Sequence, residues 1–344
     1  MSFVGTQLDQ FEKHPARKSP SWLEPARRAA IGRFVELGLP TVHDEQWRFT
    51  SVAPIERIPF RLATNGTAVA RASEALQAAA LEQASFGVEG GFRAVFLNGR
   101  FVPELSTARA VPNGARLCSL GGALATERKL MEAHLGRYAS YEKQAFTALN
   151  TAFMEDGAFL TIPDGLIIQE PILFVFLSTS GGEPTLWHPR NLVVAGARSQ
   201  ATIIESYAGT GGDAYFANAV TEIVAGDGSV IEHYKLQREA DGAFHIATVQ
   251  ARLGAGSVFS SHSVSLGGGL VRNDINAVLD GEGADCTLNG LYMTTGTQHI
   301  DNHTTIDHAK PHGTSREVYK GILDGKSRGV FDGKIVVRQD AQKT

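Results

Sequence analysis

From about Asp156 to the end of the chain, apolar and polar residues alternate in short runs broken by glycine. The first third instead repeats its apolar residues at the three- and four-residue steps of a helix. The period-2 pattern is clearest where Val271, Asn273, Ile275, Ala277 and Leu279 alternate with Arg272, Asp274, Asn276, Val278 and Asp280, giving one mainly apolar and one mainly polar face. Val258, Val264 and Leu266 share one face in the same way. Turn-like tetrads at Gly196–Ser199, Gly226–Ser229, Gly254–Ser257 and Gly281–Ala284 follow one another at steps of 30, 28 and 27 residues, and each runs at once into a strand-like segment. Near-equal spacing of a turn plus a strand marks a repeat whose units stack on their neighbours, with about two strands per unit. No helical run interrupts these segments, which argues against a doubly wound α/β sheet. The repeat favours a β-helix over a β-sandwich, although the interval is lost after Gly281.

In the first third, Ser21 with Glu24 three residues on reads as a capping box, followed by Leu23, Ala26, Ala30, Phe34 and Leu37 on one helical face. Gly38 and Pro40 stop that helix. Ser73 is placed to cap an Ala-rich helix running to about Gln83, with Leu76, Ala80 and Gln83 near one face. Ala123–Leu135 and Tyr141–Phe153 are two more helical segments, the second with Phe146, Leu149 and Phe153 at helical spacing. Arg93 to Val102 reads as a hairpin turning at Asn98–Gly99. The expected organisation is a mainly helical domain with a short hairpin over residues 1–155 and a β-helix core over 156–344.

With 344 residues, 43% of them hydrophobic, the chain can bury a core large enough for two domains. The net charge is −4 and no run of Lys or Arg exceeds two residues, which argues against nucleic acid as a partner. The longest apolar run, Ile172 to Leu177, is too short to span a bilayer. Met1 to Lys13 lacks the pattern of a secretory signal, so a cytoplasmic location is expected. Cys118 and Cys286 are the two cysteines, far apart and outside any CxxC, so neither a disulfide framework nor a Cys-rich zinc site is indicated. Two thiols also cannot fill the four ligand positions of a cluster.

Three motifs invite chemistry. Gly321-Ile-Leu-Asp-Gly325-Lys326-Ser327 has three residues between its glycines where a phosphate loop needs four, and a strand rather than a helix follows, so it reads as a turn. His299, His303, His308 and His312, with Asp301 and Asp307 among them, are possible ligands for a transition metal. On a strand, His299, Asp301 and His303 would share one face, and the plain alternative is a set of surface side chains hydrogen-bonded along the stack. No G-x-S-x-G elbow is present, Cys286 and Cys118 read as structural thiols, and Asp274 and Asp280 read as carboxylates solvated on a polar strand face. A β-helix enzyme acting on polysaccharide would need such acids gathered in a groove. That enzyme and a His-cluster metal-binding module are the alternative readings.

Several runs occurring in order carry a resemblance: Pro189–Val194, Ala201–Tyr207, Gly290–Met293, Gln298–Asp301 and Tyr319–Leu323. Together they resemble the core domain of the SufB/SufD family. Asn302-His303, Gly329–Lys334, Asp44–Thr50 and Phe96–Phe101 look more like the SufD branch than the SufB branch. The resemblance implies a mainly β protein, α+β overall, with a right-handed parallel β-helix core and an N-terminal α-helical domain. It implies a non-catalytic scaffold subunit in a cytoplasmic complex with a SufB-like subunit and the ATPase SufC, on which an iron–sulfur cluster is held transiently. No cofactor is then expected to stay bound to this chain alone, and a homodimer is the alternative when the chain is isolated. Family members continue past the Asp340–Thr344 segment into more β-structure, a Cys-x-His motif and a helical domain that docks SufC, so more chain is expected beyond Thr344. If the last rungs add their edges to a partner's sheet, then His299, Asp301, His303, Tyr319, Lys334 and Val336 are the expected interface residues.

Overall fold

A glycine-bounded turn every 27 to 30 residues lets the chain repeat one path, and in the computed structural model the β-rich part coils into a parallel solenoid of about six turns. Residues 2–13, 20–63, 78–88, 90–107, 111–112, 114–179, 183–210, 214–342 and 344 are described. One sheet stacks β5 (Ala158–Ile162), β8 (Arg190–Ala195), β10 (Tyr215–Ala225), β12 (Ala243–Leu253), β14 (Leu270–Leu279), β16 (His299–His308) and β18 (Arg328–Val337). The other stacks β6 (Ile172–Thr179), β9 (Gln200–Thr210), β11 (Val230–Arg238), β13 (Val258–Ser265), β15 (Asp285–Thr294) and β17 (Thr314–Leu323). All neighbours in these two stacks pair in parallel.

Each of the four glycine tetrads is the turn that carries the chain from the first sheet to the second. The repeat does continue after Gly281, with Cys286 pairing to Ser315 and Asp301 to Val330 at a step of 29 residues. Its turn there is Ala309–Gly313, in which His312 takes the left-handed conformation, so the glycine signature disappears while the path persists.

Alternation sets what fills the solenoid. Val271, Asn273, Ile275, Ala277 and Leu279 of β14 all point inward and are buried. In β13 the valines do share one face, and it lies on the other side of the sheet. Val258 and Val264 point outward, and Phe259, Ser261, Ser263 and Ser265 point inward. Small serines fit there because the neighbouring strand, β11, sends His233 and Lys235 into the same interior.

The first third supplies covers and end pieces. The expected hairpin forms from β2 (Phe92–Leu97) and β3 (Arg100–Phe101), with Asn98 and Gly99 both at positive φ. β2 also joins the second sheet beside β6, and β4 (Arg116–Ser119) pairs with β5. The short β1 (Arg61–Leu62) pairs with β7 (Thr185–Trp187). Helices α1 (Phe3–Lys13), α2 (Glu24–Leu37) and a later helix, Ala145–Phe153, lay Phe11, Phe34, Phe146 and Phe153 on the outer face of the first sheet at Leu186, Phe216, Ile246 and Leu270. Between α2 and that helix lie α3 (Ala53–Glu56), α4 (Ala78–Ala84), α5 (Leu120–Thr126) and α6 (Arg128–His134), which makes Ala145–Phe153 α7.

Three helix details differ from expectation. The Ser21–Glu24 capping box is absent: Leu23 is the N-cap residue of α2, no side chain caps it, and Pro25 in the first turn removes one donor that would need a cap. Gly38 does end the helix, its N–H reaching Phe34 O at 2.9 Å. The segment Ala123–Leu135 is two short helices broken at Glu127, and α7 starts at Ala145 rather than Tyr141. Ser73 and Leu76 lie outside the described residues.

Candidate functional site

On the outer face of the first sheet, β14 and β16 place Arg272, Asp274, His299, Asp301 and His303 side by side, because residues two apart on a strand share a face and these strands pair in register. The segment Gln46–Thr50 lies against them. Arg272 donates through Nη2 to Asp274 Oδ1 at 2.8 Å, and through Nη1 to Asp301 Oδ2 at 2.8 Å and to the Gln46 carbonyl at 2.6 Å. Its guanidinium stacks on Trp47, 4.0 Å from the ring centre. Thr50 Oγ1 donates to Asp301 Oδ2 at 2.6 Å, so the His299 Nε2 at 2.8 Å must be the donor to the same hydroxyl. His303 Nε2 lies 3.0 Å from Asp301 Oδ1.

The charges follow from these contacts. Burial disfavours ionised Asp301, but the His303 ring, the Arg272 guanidinium and the Thr50 hydroxyl outweigh it and hold the carboxyl below the usual carboxylate range. Burial likewise disfavours the Arg272 cation, and Asp274 and Asp301 more than offset that. His299 is pushed down, first by burial and then by Arg328 and Arg272, against the pull of Asp301. The array is a clamp that fastens Gln46–Thr50 to the solenoid. Asp274 is therefore a buried ion-pair partner and not a solvated carboxylate, because Arg272 and Trp47 shut water out. Asp280 is half-buried and pairs with Arg252 across one rung.

The four candidate histidines do not converge. His299 and His303 flank Asp301 on the outer face, whereas His308 points inward at the far end of β16, 3.0 Å from Ser315 Oγ. His308 lies nine residue steps along the strand from His299, which is about 30 Å at the rise of a strand. His312 sits in the following turn, 3.7 Å from Glu282. Among the described residues no group of three or more His, Cys, Asp or Glu is arranged to hold a metal ion. Cys286 is fully buried, and burial pushes its thiol upward. Gly321–Ser327 spans the end of β17, a turn and the approach to β18.

Below the clamp the stack presents its last rungs. Among the described residues β17 and β18 each pair on one side alone, to β15 and β16, so a row of main-chain donors and acceptors faces outward. Tyr319 points inward and stacks on Phe331 with ring centres 4.6 Å apart, Lys334 is exposed on the outer face, and Val336 is half-buried there. The larger apolar surface is one the sequence reading passed over. Phe331, Ile335 and Val337 take the inward positions of β18 yet are 43%, 58% and 51% exposed, and Val318 and Ile322 stand exposed on the outer face of β17. The alternation Phe331, Gly333, Ile335, Val337 was the available signal, since residues two apart on a strand share one face.

Two family models match consecutive parts of the chain: the SufBD protein N-terminal region over residues 7–174, and the core domain described as SUF system FeS cluster assembly, SufBD core domain, over residues 176–344. A SufBD family iron–sulfur cluster assembly protein of Synechocystis is 32% identical over 326 residues, covering 92% of this chain and 70% of the relative. The iron–sulfur cluster assembly protein SufD of Escherichia coli is 26% identical over 336 residues, covering 97% of this chain and 73% of its own length. A chloroplastic protein of Arabidopsis thaliana, ABCI7, is 25% identical over 344 residues, covering 98% of this chain and 69% of the relative.

Proposed function

Since this chain belongs to the SufBD family of iron–sulfur cluster assembly proteins, we propose that it is a non-catalytic, SufD-like scaffold subunit, pairing through its last rungs with a SufB-like subunit and working with a SufC-like ATPase in the cytoplasm. The reading is supported by the core-domain match over residues 176–344 and by the exposed apolar residues of β17 and β18. An unpaired strand edge offers main-chain hydrogen bonds to an added strand, and Phe331, Ile335, Val337, Val318 and Ile322 supply the apolar area that selects a partner. Tyr319, Lys334 and Val336 flank that surface, while His299, Asp301 and His303 sit at its margin and act on it by fixing Gln46–Thr50.

The cluster is the cargo of this machine, carried transiently. Of Cys118 and Cys286 the second is fully buried, and the cluster is taken to draw its ligands from two subunits. His299, His303 and His308 all lie on β16, the strand paired to β18. ATP hydrolysis is assigned to the partner, because strand, turn and strand replace the phosphate cradle at Gly321–Ser327. Among the described residues no helix is long and apolar enough to cross a membrane, and the slightly acidic chain offers no electrostatic attraction for nucleic acid.

Co-expression with the SufB-like subunit and affinity capture tests the reading. Ile335→Asp/Val337→Asp is expected to stay folded by circular dichroism and to lose capture at least tenfold. Undiminished capture would mean that pairing does not use these rungs. Iron content of the anaerobically purified complex, compared between wild type and His299→Ala/His303→Ala, reads the cargo role separately from association.

A further inference from the structure

The interior of the solenoid is not apolar throughout. Glu205 and Tyr207 of β9, His233 and Lys235 of β11, Glu239 in the following loop and His245 of β12 are all buried and face one another across the lumen. Lys235 Nζ donates to Asn273 Oδ1 at 2.8 Å and lies 2.9 Å from His245 Nε2. An ammonium has donors alone, so His245 Nε2 accepts and the ring proton is on Nδ1, which lies 2.8 Å from Glu239 Oε2. His245 is therefore the neutral tautomer.

Both carboxylates are surrounded by donors. Glu205 Oε2 accepts from Tyr207 Oη at 2.8 Å, and Glu239 Oε2 accepts from Gln237 Nε2 at 3.1 Å. Burial disfavours both anions, yet His233 for Glu205 and His245 for Glu239 lead the contacts that hold each below the usual carboxylate range. Tyr207 and Tyr215 are the other titratable side chains acting on these carboxylates, and burial pushes both phenols upward, so they stay neutral. Strands β13 and β14 contribute the neutral Ser261 and Asn273. Burial pulls the Lys235 ammonium down to about 8, with Glu205 and Glu239 opposing.

Two anions and one cation leave one negative charge in a dry interior, where an uncompensated charge is strongly disfavoured. One contact remains to balance it: His233 Nε2 lies 3.1 Å from Glu205 Oε1, and His233 Nδ1 lies 3.0 Å from Ser261 Oγ, a hydroxyl able to accept as well as donate. We infer that this rung is a proton-binding site, holding one further proton in the His233–Glu205 contact with Ser261 as acceptor, and that the bound proton braces β9, β11 and β13 together. The proton belongs to the coupled pair, not to either residue alone. The inference concerns the interior of the fold and stands apart from the partner surface proposed above.

Nitrogen-15 imidazole spectra of the full chain at pH 7, with His233→Gln and His245→Gln used for assignment, test it. The expected result is both ring nitrogens of His233 protonated and Nδ1 alone protonated in His245. In Glu205→Gln the second His233 ring proton is expected to be lost, while His245 is unchanged. A singly protonated His233 ring in the wild type would overturn the inference, as would a doubly protonated ring that survives Glu205→Gln. Should Glu205→Gln fail to fold, the wild-type spectrum decides by itself.

Discussion

Arg190 and Glu222 face each other on the outer side of β8 and β10, both fully buried, with Nη2 2.7 Å from Oε2. Glu222 also accepts from the backbone N–H of Gly136 and Tyr138 at 2.8 Å and of Ala139 at 3.0 Å, so one carboxylate fixes the chain between α6 and α7. Removing one member of such a pair strands the other charge, so Arg190→Met is expected to cost about 3–5 kcal/mol in urea unfolding. The clamp gives a prediction in pH. The folded-state value of Asp301 lies below its unfolded one, so its contribution is present above the unfolded value of about 4 and is lost as pH falls through the folded value. The loss of stability of the wild type on acidification below about pH 4 should therefore be shallower in Asp301→Asn, a comparison made by denaturant titration at each pH.

Among the elements, β5 shows how tightly neighbouring rungs approach. Gly157 precedes it with φ 148°, and a Cβ there would run into the backbone of Arg190. Gly157→Ala should destabilise the protein by more than about 1 kcal/mol, since both the conformation and the space exclude a side chain. For α4, Ala84 packs on the outer face of the second sheet beside Val95, Leu173 and Val175. The hairpin, the α2 stop at Gly38 and the strand alternation were legible in the sequence, because each is decided within a few residues. The capping box at Ser21 was not, because Ser and Glu at that spacing can cap but do not have to when proline already removes a donor.

For the molecule as a whole, a solenoid is held together rung by rung, each contacting its neighbours on the two sides. Strands β10 and β12, sandwiched between rungs and covered by α7, should show the slowest amide exchange, and β17 and β18 the fastest. Addition of the SufB-like partner is expected to slow exchange in β17 and β18 selectively. Equal protection along the stack in the isolated chain would argue against a partner-ready edge. The candidate site divides in the same way. The strand alternation of β17 and β18 follows from the repeat, whereas the burial of Asp274, Asp301 and Arg272 depends on Gln46–Thr50 arriving from more than 200 residues away in sequence.

By itself, then, the sequence determined the period of the strands, the turns that coil them and the family whose motifs they carry, since these depend on backbone geometry and on residues close together in the chain. Only the tertiary structure decided which face of β13 looks inward, why His299, His303, His308 and His312 part company, and which carboxylates lose their water. Those outcomes depend on neighbours brought in from other rungs and from the N-terminal segment, and a polar side chain becomes buried or exposed according to what is packed on it.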